Sequence, residues 1–159
     1  MGEHHGPVVP DPMRAAALDD AAQTLLATWE AAREQSTPRL SAAQLNALIV
    51  VEKDEGINLR TLAGRLRMIL SSASRLCDRL VAAGLVDRAP GRIDRREIAL
   101  YLTPYSRQLL DELRASRLAL LGAALDRMSP AGRAGLVRGL SEFAVAAAES
   151  PSDTSRRTA

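Results

Sequence analysis

From Met13 to Gln35 apolar residues recur at helical spacing. Leu18, Ala22, Leu25, Trp29 and Ala32 form the stripe, and Leu26 widens it. The run "STPR" ends this first helix. A second helix opens at Ser41, where Gln44 completes a Ser-x-x-Gln capping box, and Leu45, Leu48 and Ile49 carry it toward Gly56. Asn58 is a good N-cap for a short third helix, with Leu59, Leu62, Ala63 and Leu66 inward. The stretch "RMILSSASRLCDRL" supplies a fourth helix, running to about Ala83 and stopped by Gly84. There the period changes. "LVDRA" reads as a short strand and "PGRIDR" as turn residues. "EIALYLT" alternates, with Ile98, Leu100 and Leu102 on one face and Ala99 and Tyr101 on the other, so a two-stranded hairpin is expected. Thr103-Pro104 starts a long fifth helix, and Ser129-Pro130 repeats that signal for a last one, with Leu136, Leu140, Phe143 and Ala147 inward.

Two short helices joined by about four residues and followed by a hairpin make a winged helix-turn-helix. The fold class expected is mainly α, with a winged helix-turn-helix carrying a small β-hairpin on residues 41–102 and a further helical region on 13–35 and 103–148. Residues 1–12 and 149–159 are polar, aperiodic tails expected to be disordered.

In the fourth helix Ala73, Leu76, Cys77 and Leu80 form an apolar face. Ser71, Ser72, Ser74, Arg75, Asp78 and Arg79 form the opposite one. Small hydroxyls let a helix approach a major groove closely, and an arginine can pair with guanine through two hydrogen bonds. The hairpin tip carries Arg92, Arg95 and Arg96, suited to phosphates or to an A·T-rich minor groove. Any one arginine is more simply a solvated surface residue; the arrangement as a whole is harder to dismiss. Net charge is only +2, but residues 57–107 hold ten arginines against four acids, while the remainder holds eleven basic and fifteen acidic residues. A basic middle flanked by acidic ends fits a polyanionic partner.

Composition excludes several classes. The only histidines, His4 and His5, lie in the tail, so no Ser-His-acid or Cys-His arrangement is available. No glycine-rich phosphate loop follows a strand, and an enzyme is not expected. No cofactor and no metal site are expected. The single cysteine, Cys77, cannot form an internal disulfide, and burial should make it inert rather than redox-sensing. No apolar run approaches the roughly 18 residues of a membrane span, and the start lacks a secretory pattern, so a cytoplasmic protein is expected.

The fragments "SAAQLNALIVV", "LRTLAGRL", "SSASRLCDRLVAAGLVDR", "IDRREIALYLTP" and "MSPAGRAGLVRGL" span residues 41 to about 140. In this order and spacing they resemble the multiple-antibiotic-resistance regulator (MarR) family of bacterial winged-helix transcription factors. The most specific part is R-L-x-D-R-L-x-x-x-G-L-V-x-R followed by D-R-R and L-T-P. The resemblance implies a homodimer whose dimerisation region is residues 13–35 and 103–148: its first and last helices, with part of the fifth, interlock while two winged domains read a palindromic operator in double-stranded DNA. By motif position Ser71, Ser72, Ser74 and Arg75 look like major-groove readers. Asp94 and Arg96 look like an ion-paired wing frame, with Arg95 beside them at the DNA. The resemblance also implies a repressor of nearby genes, released by a small phenolic or carboxylate effector bound between the dimer and DNA-binding parts. Arg14 could meet a carboxylate and Trp29 could stack on a ring, although a surface arginine and a dimer-core tryptophan are the simpler readings.

The sequence departs from the family at the turn. Gly-Val-Ser is replaced by Arg67, Met68 and Ile69, which removes a residue suited to positive φ and a side-chain cap. This leaves either an altered turn or an extra basic group near phosphate. Met68 is expected in the core, Ile69 packed on the second helix, and Leu70 toward DNA, where thymine methyls are available. Gly91 stands where the wing usually has an acid, and Ser106 replaces a glycine without expected consequence. An altered turn leaves open a second reading, a winged-helix module that binds protein and has little specific DNA affinity.

Overall fold

A computed structural model describes residues 12–37, 40–90 and 98–149. The tails and the wing tip, with Arg92, Asp94, Arg95 and Arg96, lie outside the described residues. The elements are α1 (Pro12–Ser36), α2 (Ala42–Lys53), β1 (Ile57–Asn58), α3 (Leu59–Arg65), α4 (Leu70–Ala82), β2 (Val86–Pro90), β3 (Ile98–Leu102), α5 (Pro104–Leu125) and α6 (Pro130–Glu149). The fold is mainly helical with one small antiparallel sheet. The chain divides into two compact units, residues 1–118 and 119–159.

Local signals set the helix starts. Ser41 accepts a hydrogen bond from the Gln44 amide at 3.3 Å, and the Gln44 side chain accepts one from the Ser41 amide at 3.0 Å, so the capping box is complete. Asn58 Oδ1 accepts from the Thr61 amide at 2.8 Å and caps α3. Thr103 Oγ1 accepts from the Ser106 amide at 3.2 Å at the start of α5. The Ser106 hydroxyl is fully buried and donates to the Leu85 carbonyl at 2.7 Å. That substitution therefore ties α5 to the loop before β2, a role the sequence reading did not assign.

The sheet has three strands, in the order β1-β3-β2, rather than the expected two. Strand β1 is only two residues long, too short to show a period. Its partners are Leu100 for Ile57 and Ala99 for Asn58. Strand β3 is thus central, and α2 packs against it. Ala99 and Leu100 are both buried as a result, and the expected alternation fails there. Ile98, at the wing base opposite Pro90, is exposed although it was expected to share a face with Leu100.

The core of the first unit gathers Leu48 and Val51 from α2, Leu62 from α3, Leu76 and Leu80 from α4, Val86 and Leu100 from the sheet, and Leu110 and Leu113 from α5. The α1 stripe behaves differently. Ala32 is buried, yet Leu18, Leu26 and Trp29 are exposed. In the second unit Gly132 donates to Ser129 Oγ at 3.1 Å where α6 begins. Its expected inward residues Leu136, Leu140 and Phe143 are exposed, as are Val137 and Val145. Among the described residues, none covers these apolar faces. Leu80, by contrast, is completely enclosed. Leu80→Ala should lower unfolding free energy by about 2–5 kcal/mol, read as a shifted denaturant midpoint at unchanged slope.

Candidate nucleic-acid interface

Helix α4 sits on α3 and β2 through one face. Ala73, Leu76, Cys77 and Leu80 on that face have no solvent exposure. The opposite face presents Ser71, Arg75 and Arg79 to solvent, with Ser72 and Ser74 half-buried at its flanks. The spacing of Ser71, Ser74, Arg75 and Arg79 keeps them on adjoining turns. Arg75 Nε reaches back to the Ser71 carbonyl at 3.4 Å, a long contact that leaves the guanidinium available. Neither Arg75 nor Arg79 forms an ion pair with another described residue. Asp78, on the same outer face, is neutralised by Arg88 of β2 at 2.6 Å.

The turn into α4 keeps a regular geometry despite its sequence. Arg67 adopts φ 52°, the only positive φ among described non-glycine residues. Its amide donates to the Gly64 carbonyl at 3.1 Å, and the Met68 amide donates to the Ala63 carbonyl at 2.9 Å. These two bonds form a Schellman cap, which normally places glycine at the left-handed position. The same pair of bonds recurs after α4, where Gly84 has φ 67°: Gly84 donates to Val81 at 2.9 Å and Leu85 to Leu80 at 2.9 Å. Arg67 thus does a glycine's work with a cationic side chain, exposed beside the start of α4. Met68 is half-buried rather than core. Ile69 caps α4 with no side-chain hydrogen bond and is 70% exposed, so its expected packing on α2 does not occur. Leu70 is 49% exposed.

The sequence profile of the MarR family matches residues 40–97, from the lead-in to α2 to the residue before β3. The crystal structure of RV1404 from Mycobacterium tuberculosis is 31% identical, superposes with a TM-score of 0.81, and the match covers 92% of this chain and 98% of that one. The chain belongs to the MarR family. Two more distant likenesses concern the fold alone. FabT of Streptococcus pneumoniae, solved in complex with DNA, has 18% identity, a TM-score of 0.64, and coverage of 83% here and 92% there. BpsR of Bordetella bronchiseptica, whose DNA binding is regulated by 6-hydroxynicotinic acid, has 22% identity, a TM-score of 0.54, and coverage of 90% and 98%. No curated protein sequence gave a significant match. In MarR-family terms, the D and the final R of the long motif are Asp78 and Arg88, and the structure pairs them. The signal for that ion pair was present in the motif, but sequence reasoning placed Asp78 on the outer face and assigned Arg88 nothing.

This MarR-family chain also has a cleft of about 500 Å³ among α1, α2 and α5 in the first unit. Leu26, Trp29, Arg33, Leu45, Asn46 and Arg117 line it. Arg117 stacks over the Trp29 ring at 4.7 Å from its centroid. The Arg117 Nε is buried and has no hydrogen-bond partner among the described residues. Arg33 is occupied by Glu30 and by the Leu40 carbonyl at 3.1 Å. Of the two residues weighed from sequence for an effector, Trp29 lines the cleft and Arg14 does not.

Cys77 is completely enclosed, and desolvation pushes its thiol pKa up, against a smaller lowering by the Arg88 charge. It therefore stays a protonated thiol near neutral pH, as expected of a structural cysteine. Left-handed backbone costs an L-residue about 1–2 kcal/mol, partly offset by the greater unfolded-state entropy of glycine. Arg67→Gly should accordingly raise stability by about 0.5–1 kcal/mol, while Arg67→Ala, which keeps the strain, should not. Thermal denaturation of the two variants distinguishes them.

Proposed function

We propose that the protein is a homodimeric, sequence-specific DNA-binding repressor that reads a palindromic operator near its own gene and is released by a small aromatic acid. The observation that carries this reading is the two-sidedness of α4. One face is wholly buried, and the other offers hydroxyls and unpaired arginines around a neutralised acid. Ser71, Ser72, Ser74, Arg75 and Arg79 are the proposed major-groove residues, with Leu70 at their leading edge. Arg92 and Arg95 are the proposed wing contacts, and Asp94 with Arg96 the proposed wing frame.

Dimerisation is supported by the exposed apolar faces of α1 and α6, since contiguous exposed aliphatic surface marks an interaction site. Residues 13–35 and 103–148 are the proposed dimerisation region, and 41–102 the DNA-binding domain. The cleft at Trp29 and Arg117 is the proposed effector site. A buried, unsatisfied guanidinium nitrogen beside an indole suits a carboxylate on an aromatic ring. The alternative of a protein-binding module drew on an altered turn, and the regular Schellman bonds at Arg67 speak against such an alteration.

Electrophoretic mobility shifts on the promoter beside the gene test the reading. Specific binding should exceed binding to an unrelated duplex by several decades, and equal weak binding to all duplexes would refute it. Arg75→Ala should cost about 1–3 kcal/mol and relax one base position. Arg95→Ala should weaken all sequences alike and reduce the salt slope by about one. Arg117→Gln should leave operator affinity unchanged while blunting release by 6-hydroxynicotinic acid or another hydroxylated aromatic carboxylate. Loss of operator binding in that variant would remove the cleft from the effector role.

A further inference from the structure

Two large aliphatic side chains stand exposed where the chain gains nothing from exposing them. Ile69 occupies the N-cap of α4, a position at which Ser, Thr, Asp or Asn would satisfy a free helix amide, and no side chain caps this helix. It is also the most exposed isoleucine among the described residues, at 70%. Leu70 follows in the first turn, half-exposed. Single exposed apolar residues are ordinary. An adjacent pair that also gives up a helix cap breaks a local rule twice with no compensation inside the fold, the pattern expected at functional positions.

The surroundings select the occupant. Arg67, immediately before the pair, and Arg75 and Arg79, along the same helix, form no ion pair with any described residue. The hydroxyls of Ser71, Ser72 and Ser74 lie between. The cores of protein–protein interfaces are depleted in charge, so a ring of unpaired cations fits a protein partner poorly. It fits a surface that is polyanionic at its rim and carries a few apolar groups inside. The DNA major groove is such a surface, and its apolar group is the thymine 5-methyl.

We infer that Ile69 and Leu70 together read thymine methyl groups, held at the leading end of α4 by the left-handed turn at Arg67. The inference rests on the DNA-binding reading proposed above and adds the chemical group that these two residues recognise. Ile69 was not among the reader residues expected from sequence, because it was placed in the core.

The test uses full-length protein and a duplex it selects from a random-sequence pool. Each thymine is then replaced singly by uracil, which deletes only the methyl. Wild-type protein should bind about four-fold more weakly at one or two positions per half-site, the value of burying one methyl-sized group. Ile69→Ser and Leu70→Ser should bind the thymine duplex more weakly and lose the thymine–uracil difference at those positions. The melting temperature of Ile69→Ser should not fall, since that side chain is 70% exposed, and that of Leu70→Ser should fall only slightly, since half of its surface is already in water. Indifference of the wild type to every uracil substitution overturns this inference and leaves the DNA-binding reading intact. Serine variants that keep the thymine preference overturn it also. Failure to enrich any duplex overturns both readings.

Discussion

The outer face of α4 has a defined orientation only because its inner face is drawn entirely out of water. Leu76 and Leu80 each contribute about 1.5–3 kcal/mol by burial, and Ala73 and Cys77 fill the space between them at close range to α3 and β2. Rotation of the helix by one residue would bring an arginine or Asp78 into that core, at far greater cost. A Schellman turn lies on either side of the helix, the one at Arg67 closing α3 and the one at Gly84 closing α4 itself. Packing fixes the azimuth, and the hydroxyls and arginines inherit it.

Electrostatics then frame what packing has placed. The Asp78–Arg88 pair joins α4 to β2, at the base of the hairpin. A second set of pairs joins the end of α2 to α5. Both guanidinium nitrogens of Arg107 reach Glu55, at 2.7 and 3.0 Å, and Arg114 bridges Glu52 and Asp111. Those hydrogen bonds raise the arginine pKa values further above their ordinary range, so the pairs persist at any physiological pH. The pairs are largely exposed, and their individual contributions to stability are small. Their value lies in register, because two of them seven residues apart on α5 fix how that helix lies against the end of α2.

What the sequence disclosed follows the range of the interactions involved. Caps at Ser41, Asn58 and Thr103 are set by bonds three residues long, and they were legible. The buried stripe of α4 is set by a helical period, and it was legible too. Strand β1 is two residues paired with Leu100 and Ala99, some forty positions away, and no local pattern announces it. At Arg67 the sequence left open an altered turn or an added basic group near phosphate. A residue's preference for positive φ is weaker than two backbone hydrogen bonds that demand it, so the turn survives the loss of glycine. Ile69 was placed in the core because hydrophobicity suggests burial, and that rule runs only one way. Ser71, Arg75 and Arg79 do lie exposed on the face opposite the buried stripe, with Ser72 and Ser74 at its flanks, and their role as readers stays a proposal, as do the wing residues, which fall outside the described part of the chain.

Periodicity also does not say who covers an apolar stripe. Leu48 and Leu80 are buried by their own chain, whereas Leu26 of α1 and Leu140 and Phe143 of α6 are not. All five have the same sequence signature. Within the first unit the distinction matters for the cleft, because Leu26 and Trp29 border it from α1 while Leu45 and Asn46 border it from α2. Arg117 closes it from α5, one turn beyond the Arg114 that Glu52 holds. The same two helices, α2 and α5, therefore line the cleft at one end and are pinned by ion pairs at the other. On the proposed reading, a carboxylate that takes the unsatisfied Nε of Arg117 acts on α5 within one turn of its tether to α2. Glu52 and Glu55 stand at the segment that leads into β1 and α3, and Glu55 also accepts the Leu102 amide at 3.4 Å, so it touches the sheet as well as α5.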